Sequence, residues 1–122
     1  MSEPLVLVAD DDEDILLLVT TRLKRDGFEV IQASSGDRAL ELARERRPAV
    51  AVLDIGMPGL DGVEVLEQIR ADDDLRAMKV LLLTAKAQES DVRRGFAAGA
   101  DAYVKKPFSP ADLSARVHEL LS

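Results

Sequence analysis

The chain has 122 residues, 16 basic and 23 acidic side chains and a net charge of −7, which fits one compact domain and repels a nucleic-acid backbone. No direct nucleic-acid partner is expected. Hydrophobic residues at 47% supply an ordinary core, while the absence of Cys and the single His118 exclude disulfides, thiolate metal sites and multi-histidine zinc. No apolar run approaches a membrane span, and Met1 to Pro4 lacks the pattern of a signal peptide, so a cytoplasmic protein without a membrane partner is expected.

In chain order, short runs rich in Val, Leu and Ala predict buried strands at Leu5–Ala9, Phe28–Ala33, Ala49–Leu53, Val80–Leu83 and Ala102–Val104. Helical spacing follows each of them. It is carried by Leu16, Val19 and Leu23, by Leu40 and Ala43, by Val65, Leu66 and Ile69, by the segment Ser90–Ala98, and by Leu113, Val117, Leu120 and Leu121. Asp61 with Glu64, and Ser109 with Pro110, mark helix N-termini, while Gly27 and Gly99 suit helix C-termini. Five βα units without hairpin signals predict a three-layer α/β domain, a doubly wound parallel sheet covered by helices on both faces.

Ligands of such sheets sit at the carboxyl ends of the strands, so the residues that follow each strand matter most. The first strand runs into Asp10-Asp11-Asp12, the third ends at Asp54, the fourth at Thr84, and the fifth leads to Lys106-Pro107. Crowded carboxylates raise one another's pKa unless a cation neutralises them, and oxygen ligands suit Mg²⁺. An ammonium and a hydroxyl suit phosphate. The combination points to phosphoryl transfer onto a carboxylate, with Asp54 the best nucleophile because it ends a central-looking strand before the loop Gly56-Met57-Pro58-Gly59.

These segments, Val-Leu-Val-Ala-Asp-Asp-Asp-Glu-Asp-Ile-Leu, Leu-Asp-Ile-Gly-Met-Pro-Gly-Leu-Asp-Gly, Leu-Leu-Thr-Ala and Gly-Ala-Asp-Ala-Tyr-Val-Lys-Lys-Pro-Phe, resemble the receiver domain of bacterial two-component response regulators, the CheY-like superfamily. The resemblance covers essentially residues 1–122 as one response regulatory domain and implies the flavodoxin-like strand order 2-1-3-4-5. It implies that Asp54 is the phosphoacceptor, that Asp10, Asp11, Asp54 and the carbonyl of Gly56 hold Mg²⁺ (Mn²⁺ as a substitute), and that Thr84 and Lys106 bind the phosphoryl group. The Lys106-Pro107 peptide is expected to be cis, and Tyr103 is the aromatic switch that follows Thr84 inward.

The implied donor is a sensor histidine kinase or histidine phosphotransfer protein. The implied readout is the face made by the fourth helix, fifth strand and fifth helix, used by a downstream protein, a fused output domain or a second copy of the chain. The protein would catalyse its own phosphorylation and dephosphorylation without being a turnover enzyme. Gly56, which lacks a side chain beside the incoming water, and Lys86, a cation at the rim, would modulate the lifetime of the phosphorylated state. The chain's end at Ser122 fits either a stand-alone receiver or the first part of a longer regulator.

Taken singly, each residue has a plainer account. Asp10 to Asp14 would serve a helix N-terminus, Thr84 and Lys106 would be ordinary strand-end and surface groups, and Tyr103 a core aromatic. Their joint placement at four strand ends is what favours a site. An EF-hand fails because Ile15 and Thr21 stand where Gly and Glu are required. The enzyme alternative, an aspartate-nucleophile phosphatase, matches only Asp10 and Asp12. A flavin protein would need more aromatics than the three Phe and one Tyr present.

Overall fold

In a two-sided sheet, successive side chains point to opposite faces. The computed structural model, which describes residues 3–85 and 89–122, contains five parallel strands: β1 (Leu5–Ala9), β2 (Glu29–Ala33), β3 (Val50–Asp54), β4 (Lys79–Thr84) and β5 (Ala102–Lys105). Their order is β2-β1-β3-β4-β5, as the resemblance implies. The helices are α1 (Glu13–Arg25), α2 (Gly36–Arg46), α3 (Gly62–Ala71), α4 (Glu89–Ala97) and α5 (Pro110–Leu121).

The alternation divides the core in two. Val6, Val8, Val50, Val52, Leu81 and Leu83 meet Leu16, Val19 and Leu23 of α1 and Leu113 and Val117 of α5. Leu7, Ala9, Ala51, Leu53, Val80 and Leu82 meet α2 and α3 on the other face, where Tyr103 also packs. Strand ends differ from the sequence reading where hydrogen bonding, not hydrophobicity, decides. Phe28 lies before β2 because its N–H closes α1 onto the Leu23 carbonyl at 3.0 Å, whereas Asp54, Thr84 and Lys105 extend their strands.

Helix termini follow the local chemistry. Asp61 Oδ1 accepts the Glu64 N–H at 2.8 Å while Glu64 accepts the Asp61 N–H at 3.0 Å, a reciprocal capping box. Asp12, Ser35 and Ser109 cap α1, α2 and α5. Gly27 and Gly99 adopt φ of 97° and 102°. At each, paired backbone bonds from the glycine and the next residue back into the last turn close the helix in a Schellman motif.

Two side-chain clips fasten the layers. Asp26, after α1, accepts Ser114 Oγ of α5 at 2.6 Å and Arg22 Nε at 2.8 Å. The Ser114 hydroxyl first, then Arg22, holds the Asp26 carboxyl below the usual carboxylate range. On the opposite layer, Arg70 of α3 donates to the carbonyls of Arg76, Met78 and Gly99 and to Asp101 Oδ2, tying α3 to the approach to β5. His118 is exposed, rests its ring 4.5 Å from that of Phe28 and pairs with the Ser114 carbonyl, a structural position. Among the described residues, no helix is long and apolar enough to cross a membrane.

Within the apolar run Ile15 to Val19, Leu16 and Val19 enter the core while Leu17 and Leu18 remain 65% and 56% exposed. Leu7→Ala, at a fully buried central-strand position, should therefore lower unfolding stability by roughly 2–5 kcal/mol in urea titration. Leu17→Ala should stay within about 0.5 kcal/mol of wild type.

Candidate functional site

Strand register assembles the site. Ala9 pairs with Leu53, so Asp10, one residue further, stands beside Asp54. Asp54 in turn pairs with Leu83, and Thr84 with Lys105. The ladder continues past the strands: Asp10 N–H donates to the Ala33 carbonyl, Ile55 N–H to that of Leu83 and Lys106 N–H to that of Thr84, at 3.1, 2.9 and 2.7 Å. The loops that carry the polar groups are thus anchored at their first residue.

Three carboxylates converge, with oxygens of Asp10, Asp11 and Asp54 lying within 4.8 Å of one another. Asp10 is fully buried and Asp54 is 5% exposed, while Asp11 faces solvent. Lys106 reaches across them, its Nζ 2.8 Å from Asp10 Oδ2 and 3.3 Å from Asp54 Oδ1. Asp10 Oδ1 accepts the Asp12 N–H at 2.9 Å. Asp10 Oδ2 is buried and takes the Lys106 ammonium, at 2.8 Å, as a charge-assisted contact.

Burial first, and then the neighbouring Asp10, pushes the Asp54 carboxyl above the ordinary carboxylate value, against the opposing pull of Lys106 and the Gly56 N–H. For Lys106 burial works downward, but the Asp10 and Asp54 carboxylates outweigh it and its pKa rises. The lysine stays charged and the pocket keeps a surplus of negative charge. Three convergent carboxylates, an all-oxygen donor set facing a single ammonium, fit a hard divalent cation such as Mg²⁺.

Sheet alternation separates the remaining residues. Asp10 and Asp54 continue the series that faces α1 and α5, whereas Thr84 and Tyr103 continue the series of Leu82, on the opposite face. Thr84 is buried at 4% exposure on the strand next to Asp54. Tyr103 is half-buried and lies outside the acidic cluster, its ring 5.3 Å from that of Phe96 on α4. Gly56 is exposed, and a Cβ built there would meet only Asp54 Oδ2 at 3.8 Å, which leaves open space beside that carboxylate. The Lys106-Pro107 peptide is cis. Lys86 lies outside the described residues.

Two features escape sequence reading. A Cβ at Gly62 would lie 2.5 Å from the carbonyl oxygen of Asp54, so α3 begins directly against the backbone of that residue. A hollow of about 390 Å³ also opens beside Lys106, lined by Ile15, Leu18, Ala85, Pro107, Phe108 and Pro110 and almost wholly apolar. The exposed Leu18, in the apolar run that opens an otherwise amphipathic helix, was the signal available for it.

Comparison with known proteins identifies the family and the fold. The family model described as "Response regulator receiver domain" matches residues 6–118. The alkaline phosphatase synthesis transcriptional regulatory protein PhoP of Bacillus subtilis is 44% identical over 116 residues, covering 95% of this chain and 48% of that protein. The transcriptional regulatory protein PrrA of Mycobacterium tuberculosis is 46% identical over 121 residues, covering 99% and 51%. The chain therefore spans about half the length of the curated relatives it matches. Among solved structures, a CheY-like response regulator receiver domain protein from Methanospirillum hungatei superposes with a TM-score of 0.92 at 33% identity, over 98% of this chain and 94% of that one. The chemotaxis response regulator CheY4 of Vibrio cholerae gives 0.91 at 29%, over 98% and 99%.

Because the folded state raises the Asp54 pKa, it binds that proton more tightly than the unfolded chain. The associated stability is present in acid and is lost as pH rises through the raised value. Asp54→Asn should accordingly melt at a higher temperature than wild type at pH 7 in the presence of a chelator. That advantage should vanish as the pH falls below the ordinary carboxylate range, as thermal scans across pH would show.

Proposed function

This chain belongs to the response regulator receiver domains, the phosphoacceptor modules of two-component systems, and from that premise we propose that Asp54 accepts a phosphoryl group from a histidyl donor. The observation that carries the reading is the Lys106 ammonium bridging Asp10 and Asp54 beside a third carboxylate. Residues 1–122 form the one receiver module, and a cytoplasmic location suits it.

Asp10, Asp11, Asp54 and the Gly56 carbonyl would hold Mg²⁺, with Mn²⁺ as a substitute. Bound there, the cation supplies charge neutralisation at the transferring group. The chain's own residues do the rest. An Asp54 oxygen attacks phosphorus, the bond from phosphorus to the donor's imidazole nitrogen breaks, and the imidazole leaves with that electron pair. Lys106 turns from its carboxylate partners to the incoming phosphoryl oxygens, and the Thr84 hydroxyl donates to another. No general base is required, since Asp54 attacks as a carboxylate.

Thr84 and Tyr103 lie toward the α4 face of the sheet, so movement of the hydroxyl toward the phosphoryl group alters the space available to the tyrosine and with it the face of α4, β5 and α5. A downstream protein, a fused output domain or a second copy of the chain reads that face; the matched relatives are transcriptional regulatory proteins of about twice this length. Reset is by hydrolysis of the acyl phosphate. Open space at Gly56 and the charge of Lys86 bear on its rate. The names of the relatives are those of regulators and offer no support to a phosphatase.

Intact-mass measurement after incubation with acetyl phosphate and Mg²⁺ should show one added phosphoryl group on wild type and none on Asp54→Asn; equal gain, or no gain on wild type, refutes the assignment. The apolar hollow beside Lys106 suits a helix of the histidyl donor, because a donor delivering to Asp54 must cover that rim. Leu18→Asp should therefore slow transfer from a phosphorylated histidine protein by roughly tenfold or more, the size of a modest interface contact. Its labelling by acetyl phosphate should remain at the wild-type rate.

A further inference from the structure

An ion pair joins α4 to the start of α3. Arg94 of α4 places one guanidinium nitrogen 2.9 Å from Asp61 Oδ2 and 3.2 Å from Oδ1. The same Asp61 caps α3 through the Glu64 N–H, and the following residue, Gly62, is the one whose missing Cβ lets α3 rest against the Asp54 carbonyl. The hydrogen bond to Asp61, reinforced by the charges of Glu67 and Glu64, outweighs partial burial and raises the Arg94 pKa.

The next residue along α4 completes the connection. A Cβ at Gly95 would lie 2.8 Å from Tyr103 Cε2, from Tyr103 Oη and from Leu82 Cδ1, so the tyrosine ring occupies the space that the glycine leaves. Tyr103 can hold this seat only while α4 keeps its distance from β5. A continuous series of contacts thus runs from the Asp54 backbone through Gly62, Asp61 and Arg94 to Gly95 and the tyrosine ring. It is separate from the Thr84 route, since it uses the start of α3 rather than the end of β4.

We propose that the Arg94–Asp61 pair is a latch that ties the phosphoacceptor strand end to α4 and sets how far Tyr103 responds when Asp54 is phosphorylated. Arg94 and Asp61 are positioning residues here and touch neither phosphoryl group nor metal. The inference rests on the phosphoacceptor reading for its role in signalling, but the latch in the resting protein is testable without it.

Tyr103 is the only tyrosine and there is no tryptophan, so intrinsic fluorescence reports on this ring alone. The variants are Arg94→Ala, Asp61→Asn, which retains an N-cap side chain of equal quality, their combination, and Arg94→Lys. In the resting protein, Arg94→Ala and Asp61→Asn should each increase acrylamide quenching of Tyr103 and speed amide exchange across residues 92–98 by about two- to fivefold, the range set by an exposed ion pair. The double variant should add nothing further, and Arg94→Lys should restore part of the loss. With acetyl phosphate and Mg²⁺, the fluorescence change on phosphorylation should shrink in the variants that lack the pair.

Unchanged quenching and exchange in both single variants, or additive effects in the double variant, overturn the latch. So does an equal fluorescence change in all variants that gain the phosphoryl group. Failure of wild type to gain it in the same mass measurement refutes the phosphoacceptor reading instead, and leaves the resting-state results to decide the latch separately.

Discussion

Two carboxylates on neighbouring strands, both shut away from water, repel each other and lose hydration at once. Asp10 and Asp54 are in that position, and the folded chain tolerates them because Lys106 approaches both. One ammonium does not balance three acids. The surplus negative charge is an instability with a chemical use, because it is relieved by groups that bring positive charge or take up the carboxylate itself. Everything else in the fold can be viewed as the means of bringing these side chains to one rim and holding them there.

The pleat then sorts the work. Carboxylates continue the residue series facing α1 and α5, and the hydroxyl and tyrosine continue the series facing the other helical layer. The two groups of side chains are thus separated by the thickness of a single sheet, on residues one position out of phase. The α1 and α5 layer is fastened by Asp26, Ser114 and Arg22, and the end of α3 by the Arg70 guanidinium, whose hydrogen bonds reach three carbonyls and Asp101. On the same layer α4 is joined to the start of α3 through Arg94 and Asp61.

Much of this was legible beforehand because it is local. Apolar runs located all five strands, and Asp61 with Glu64, or Ser109 with Pro110, announced helix starts by side chains that bond only three residues away. Polar residues at strand ends singled out Asp10, Asp54 and Lys106, which the structure brings together, since a parallel sheet gathers such ends at one edge. The strand order came from resemblance, because periodicity says which face a residue takes but not which strand lies beside it. Contacts such as Arg94 with Asp61, 33 positions apart, or Gly62 against the Asp54 carbonyl, depend on packing between helices and have no periodic trace.

The exposed leucines of α1 lie on the layer that Asp26 and Ser114 hold rigid, whereas the tyrosine's seat lies across the sheet on α4. A change of sequence at either surface is therefore separated from the other by the whole depth of the core.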